Sequence, residues 1–85
     1  MRIYFHHQFE KQFRKLPSSV QEQFRERLAL FLETPTHPLL RIHMLHGDKY
    51  PHMSLNVNGD YRALFLHQQD GITFYEIGTH SNLYS

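Results

Sequence analysis

The chain has 85 residues, a net charge of +1 and no cysteine. That length holds one domain around one core. The 40% apolar and 14% aromatic content is enough to fold it and excludes disorder. Without cysteine there is no disulfide framework, no thiolate nucleophile and no cysteine-type zinc site. The longest apolar run, Leu28 to Leu32, is far short of the ~20 residues that cross a bilayer. The first residues lack an apolar stretch long enough for a signal peptide. The expectation is a cytoplasmic protein of one domain, residues 1–85, with no membrane partner.

Arg2 to Phe5 predicts a short strand. Phe9, Phe13 and Leu16 recur at helical spacing, so His7 to Leu16 predicts an amphipathic helix. Its other face carries Glu10, Lys11, Arg14 and Lys15. Pro17-Ser18-Ser19 then interrupts the pattern. Ser18 with Gln21, or Ser19 with Glu22, has capping-box spacing. A second helix follows with Val20, Phe24, Leu28 and Phe31 on one stripe, ending near Glu33 because Pro35 and Pro38 forbid continuation. Two helices joined by a short turn predict a helical hairpin.

From Arg41 the periodicity becomes that of strands. Arg41 to Leu45 is one candidate, broken at His46-Gly47-Asp48. Met53 to Val57, Tyr61 to His67 and Ile72 to Ile77 follow, separated by turns at Asn58-Gly59-Asp60 and Gln69-Asp70-Gly71. Connections this short cannot cross over, so these strands form an antiparallel meander. The fold class expected is α+β, an N-terminal helical hairpin packed on a small antiparallel sheet.

Side-chain faces predict the register. A three-residue loop at Asn58-Gly59-Asp60 puts Leu55 opposite Ala63 and Met53 opposite Phe65, all on one apolar face, with Asn56 beside Arg62 on the other. A three-residue loop at Gln69-Asp70-Gly71 puts Phe65 opposite Tyr75, Ala63 opposite Ile77, and His80 level with Asp60. Asn56, Asp60, Arg62 and His80 are thus expected at one end of the sheet.

Charge is unevenly spread. Residues 1–35 hold six Lys/Arg and four Asp/Glu; the other fifty hold three Lys/Arg, four Asp/Glu and six of the eight His. Histidine exchanges protons near neutrality, so the surplus points to proton transfer or to metal chemistry. The metal option is weak. His6 and His7 are adjacent and on a strand would face apart, the His43 and His46 spacing suits a helix better than a strand, and no His-Glu-x-x-His pattern is present. No metal and no cofactor is expected.

Several segments together resemble the RelE/ParE superfamily of toxin–antitoxin toxins, and within it the YafQ-like branch of mRNA endonucleases. They are Phe9 to Leu16 followed by Pro17; Arg41-Ile42-His43-Met44-Leu45-His46-Gly47; Val57 to Phe65 with its Asp60-Tyr61-Arg62; and above all Ile77-Gly78-Thr79-His80-Ser81-Asn82-Leu83-Tyr84. The resemblance covers nearly the whole chain and implies a RelE-like α+β fold. It implies cleavage of messenger RNA on the 70S ribosome and silencing by a cognate antitoxin, with any DNA contact made only through that antitoxin. It also implies catalytic roles for His43, Asp60, His80, Arg62 and Tyr84, and substrate contacts from Tyr61, Asn56, Arg41 and Lys49. One position departs from the branch: Asn56 stands where a further catalytic histidine is found, and asparagine transfers no proton.

The implied chemistry needs a base for the 2′-hydroxyl, an acid for the leaving 5′-oxygen and a cation for the phosphoryl oxygens. Arg62 suits the last, because its planar fork matches two phosphate oxygens. His80 is expected in one proton-transfer role, with His43 and Asp60 as the other candidates. Structural roles stand beside these. Arg62 can pair across strands with Asn56 or Glu76, Asp60 is a favoured turn residue, and Tyr84 can dock the C-terminus on the sheet. Two other functions fit the same fold: a gyrase-poisoning toxin of the ParE kind, which cuts no RNA, and an inactive relative kept for antitoxin binding.

Overall fold

The computed structural model describes residues 1–84. In chain order it runs β1 (Arg2–Phe5), α1 (His7–Arg14), α2 (Ser18–Glu33), β2 (His43–Met44), β3 (Met53–Asn56), β4 (Tyr61–Gln68), β5 (Gly71–Thr79) and α3 (His80–Tyr84). Short 3₁₀ turns lie at Pro38–Leu40 and Gly47–Lys49. The class is α+β, but the sheet is mixed. Its order is β1-β5-β4-β3-β2, with β1 parallel to β5 and the other neighbours antiparallel. The opening strand lies where it was expected, but its parallel place at the sheet edge corrects the expected helical hairpin on a wholly antiparallel sheet. The parallel pairing is possible because everything between β1 and β5 serves as the crossover.

Gly71 permits that pairing. A Cβ there would lie 1.8 Å from the Arg2 carbonyl oxygen, so Gly71→Ala is expected to unseat β1 and cost more than ~2 kcal/mol in urea unfolding. Gly59→Ala, where an added methyl meets nothing within 4 Å, is the matched control and should leave the midpoint in place.

The helices begin differently from the expected capping box. Ser18 already lies inside α2, and Pro17 before it provides no side-chain cap. Gln21 instead donates from Nε2 to the Phe13 carbonyl at 2.8 Å. The same carbonyl accepts from the Leu16 N–H at 3.1 Å, so the Gln21 bond adds a second partner there and ties α2 to the end of α1. At the other end of α1, His6 is the cap: its Nδ1 accepts from the Gln8 N–H at 3.1 Å. Because the strand ends at Phe5, His6 and His7 do not face apart as expected. Their ring centroids are 5.0 Å apart.

The β3–β4 register is the expected one, with Met53 opposite Phe65, Leu55 opposite Ala63 and Asn56 opposite Arg62. The β4–β5 register is right at one end only. Ala63 faces Ile77, but Phe65 faces Phe74 and not Tyr75, because the ladder shifts between Leu64 and Phe65. Gln68 pairs with Gly71, so the loop is Gln69-Asp70 alone. The shorter loop and the bulge cancel, and His80 still meets Asp60, its N–H donating to the Asp60 carbonyl at 2.9 Å. The bulge has a clear cause. The apolar residues of β5 fall at Ile72, Phe74 and Ile77, which breaks the period of two, and only an extra residue brings all three to one face.

That face is the core. Ile72, Phe74 and Ile77 pack there with Leu55, Val57, Ala63 and Phe65 of the sheet and with Phe9, Val20, Phe24 and Phe31 of the helices. Phe74 is at its centre. Its ring centroid lies 5.2 Å from Phe24, 5.4 Å from Phe65 and 5.6 Å from Phe9. Helices α1 and α2 thus cover one face of the sheet. Among the described residues, no helix is long and apolar enough to cross a membrane.

Candidate active site

The groove lies on the sheet face away from the core and is built from three segments. The first is the β3–β4 turn. Asn58 Oδ1 accepts from the N–H groups of Asp60 and Tyr61, each at 2.8 Å, and its Nδ2 donates to Gln23 of α2 at 2.7 Å. The turn so fixed presents carbonyls to Arg62, whose Nη1 donates to Asn58 at 2.8 Å, Tyr61 at 3.0 Å and Gly59 at 3.2 Å. All three bonds use one nitrogen, so the guanidinium is anchored while the rest of its fork stays available to an anion.

The second segment is α3. Thr79 Oγ1 accepts from the Asn82 N–H at 3.1 Å and starts the helix. One helical turn places His80 and Tyr84 together, with ring centroids 4.5 Å apart in an edge-to-face arrangement. The Tyr84 hydroxyl lies 3.1 Å from Ser54 Oγ. Ser54 is fully buried and would be an orphan without that bond.

The third segment is the run into β2. A strand over Arg41 to Leu45 was expected; only His43–Met44 pairs. The reason is local. Leu40 is fully buried and anchors the preceding turn, and Arg41 then takes a left-handed conformation, φ 46°, which no strand accommodates. A non-glycine residue in that region carries strain. Here it aims the Arg41 carbonyl at His43 Nδ1, 2.8 Å away. A carbonyl only accepts, so Nδ1 carries the hydrogen and the lone pair of neutral His43 is on Nε2.

These segments bring Arg41, His43, Asn56, Arg62, His80 and Tyr84 around one groove, with Ile42 and Leu45 as its apolar wall. Among the described residues both of its formal charges are cationic, which suits a polyanion. Three expected site residues do not line it. Asp60 is exposed and meets His80 through its backbone carbonyl. Tyr61 is turned to the other side and packs against the core. Lys49 is paired with Glu76 at 3.1 Å, both partly buried. Sequence reasoning missed Ser54 and the Asn58–Gln23 bond. Ser54 was visible as the polar alternate beside Asn56 in β3; the bond to Gln23 joins residues 35 apart in sequence and had no signal.

No protein-family model matches the chain, and no curated protein matches it. Solved structures do. Over 99% of this chain and 98% of the other, it superposes on YafQ from E. coli with a TM-score of 0.82 at 16% identity. YafQ within the E. coli DinJ–YafQ toxin–antitoxin complex matches over 99% and 97% of the two chains, with a TM-score of 0.80 at 17% identity. In the archaeal RelE–RelB complex from Pyrococcus horikoshii the match covers 92% of each chain, with a TM-score of 0.70 at 20% identity. The chain therefore has the fold of the RelE/ParE superfamily of toxins.

Proposed function

We propose that this protein is the toxin of a type II toxin–antitoxin system and an endoribonuclease that cuts messenger RNA on the ribosome without a metal. The observation that carries this reading is the groove itself, where two imidazoles and two guanidiniums surround a space that, among the described residues, no carboxylate lines. The antitoxin-bound complexes of YafQ and RelE support a cognate antitoxin as the protein partner.

The geometry supports one division of roles. His43 Nε2 removes the proton of the 2′-hydroxyl, the 2′-oxygen attacks phosphorus, and the bond to the 5′-oxygen breaks. The departing 5′-oxygen takes a proton from His80, whose ring makes no hydrogen bond among the described residues. The products are a 2′,3′-cyclic phosphate and a free 5′-hydroxyl. Arg62, pre-oriented by its three carbonyl bonds, meets the charge on the phosphoryl oxygens. Arg41 adds a second positive charge. Tyr84 offers its ring to a base. Asn56 can hydrogen-bond but transfers no proton, so two histidines carry both transfers.

The test is cleavage of a translated message on programmed ribosomes, with RNA ends mapped. Wild-type protein should cut at codon-dependent positions, and adding its antitoxin should stop it. Arg62→Ala should lower the cutting rate by about 10²–10³-fold, the usual loss for a preorganised charge-stabilising group, with urea unfolding little changed. No RNA ends, combined with trapped gyrase–DNA complexes, would replace this reading by the ParE-like one.

A further inference from the structure

Away from the groove, the same sheet face holds a second aromatic site. The β5 bulge turns Tyr75 out of the core, and its ring lies between two imidazoles, 5.1 Å from His6 and 5.6 Å from His52 by centroid. His7 extends the row, 5.0 Å beyond His6. Beside Tyr75 opens a hollow lined by Tyr4, Gln68, Gln69, Asp70 and Thr73.

The polar atoms of this hollow are already oriented. Thr73 is only 7% exposed and donates from Oγ1 to Gln68 Oε1 at 2.5 Å, which leaves the Gln68 amide N–H groups to donate. The Tyr4 hydroxyl donates to Asp70 Oδ2 at 2.9 Å. That bond raises the phenol's pKa from its ordinary value. Arg2 lies 3.9 Å from the same carboxylate. An aromatic wall with an amide donor and a carboxylate acceptor at its edge is the chemistry that holds a flat heterocycle carrying both kinds of group.

The path back to the groove is short. His52 lies two residues before Ser54, about 7 Å at strand spacing, and Ser54 holds the Tyr84 hydroxyl. Between the two sites the Lys49–Glu76 pair presents no net charge. We infer that the hollow beside Tyr75 receives an unpaired nucleobase of the RNA strand a few nucleotides from the cut, stacked on Tyr75, with His6 and His52 flanking the strand. This rests on the groove being the RNA-cleavage site. The Asp70 carboxylate in the hollow repels phosphate, so the base enters and the backbone stays on the imidazole side.

The test uses the full chain and an uncleavable 2′-O-methyl RNA hexamer, by fluorescence anisotropy and by NMR of the Tyr75, His6 and His52 ring signals. One abasic position in the hexamer should weaken binding to wild type by about tenfold, in keeping with single-base stacking on an aromatic. The same abasic change should cost nothing in Tyr75→Leu, while Tyr75→Phe behaves as wild type. Ring signals of all three residues should shift with the hexamer. The inference is overturned if no abasic position is coupled to Tyr75, if those signals stay in place, or if AMP competes as well as the hexamer, which would make the hollow a free-nucleotide site. Intact cutting without this coupling sinks the inference alone. Coupling without cutting sinks the nuclease reading alone.

Discussion

His80→Ala is expected to lower the rate of message cutting by about 10²–10⁴-fold, the range of a positioned acid or base, while leaving the fold intact. His80 is exposed; its ring touches Tyr84 edge to face, and its hydrogen bond to the fold is a backbone one, the N–H bond to Asp60, which alanine keeps. Alanine is also the best helix former, so α3 should persist and Tyr84 should stay on Ser54. A circular dichroism melt unchanged within a few degrees, with cutting gone, would place the loss in chemistry. Asp60→Ala provides the contrast. Its carboxylate lies outside the groove, so that variant should cut within a few-fold of wild type. A large loss for Asp60→Ala would show that the carboxylate reaches the substrate in the bound state and would reassign the base.

Phe74→Ala is the second large effect, and it acts on stability. Phe74 is completely buried and stacks or crosses with Phe5, Phe9, Phe24 and Phe65, so it links the sheet to both helices. Removing such a ring from a core typically costs about 3–5 kcal/mol, as much as a small domain has to spare. The expected result is a variant largely unfolded at 37 °C, with its melting point lower by at least ~10 °C, since each kcal/mol moves a domain of this size by about 4–8 °C. Phe31→Ala, which among the described residues has only the Phe65 ring as its aromatic partner, should cost less. Equal losses would mean that the rings in front of Phe74 close over the gap.

The reach of sequence reasoning differed from one hairpin to the next, for a physical reason. Between β3 and β4 the apolar positions alternate without a break, so one register buries them all and the Asn56–Arg62 neighbourhood followed. In β5 the same rule demanded a bulge, and its signal, the step from Phe74 to Ile77, lay in plain view. The loop residues Gln69-Asp70-Gly71 looked like a three-residue turn because Gly71 sits third. That glycine answers to β1, whose backbone lies against it, and a contact across 69 residues leaves no local trace.

Periodicity and turn chemistry by themselves determined the two helices, the meander, the core stripe and the placing of Arg62 beside Asn56. These depend on neighbours two to four residues apart or joined by a short loop. Tertiary structure alone decided the parallel β1 edge, the left-handed turn at Arg41 that orients His43, the anchoring of Arg62 on the Asn58 turn, and the exclusion of Asp60, Tyr61 and Lys49 from the groove. Each depends on where one side chain or carbonyl meets another in space, and no local pattern encodes that meeting.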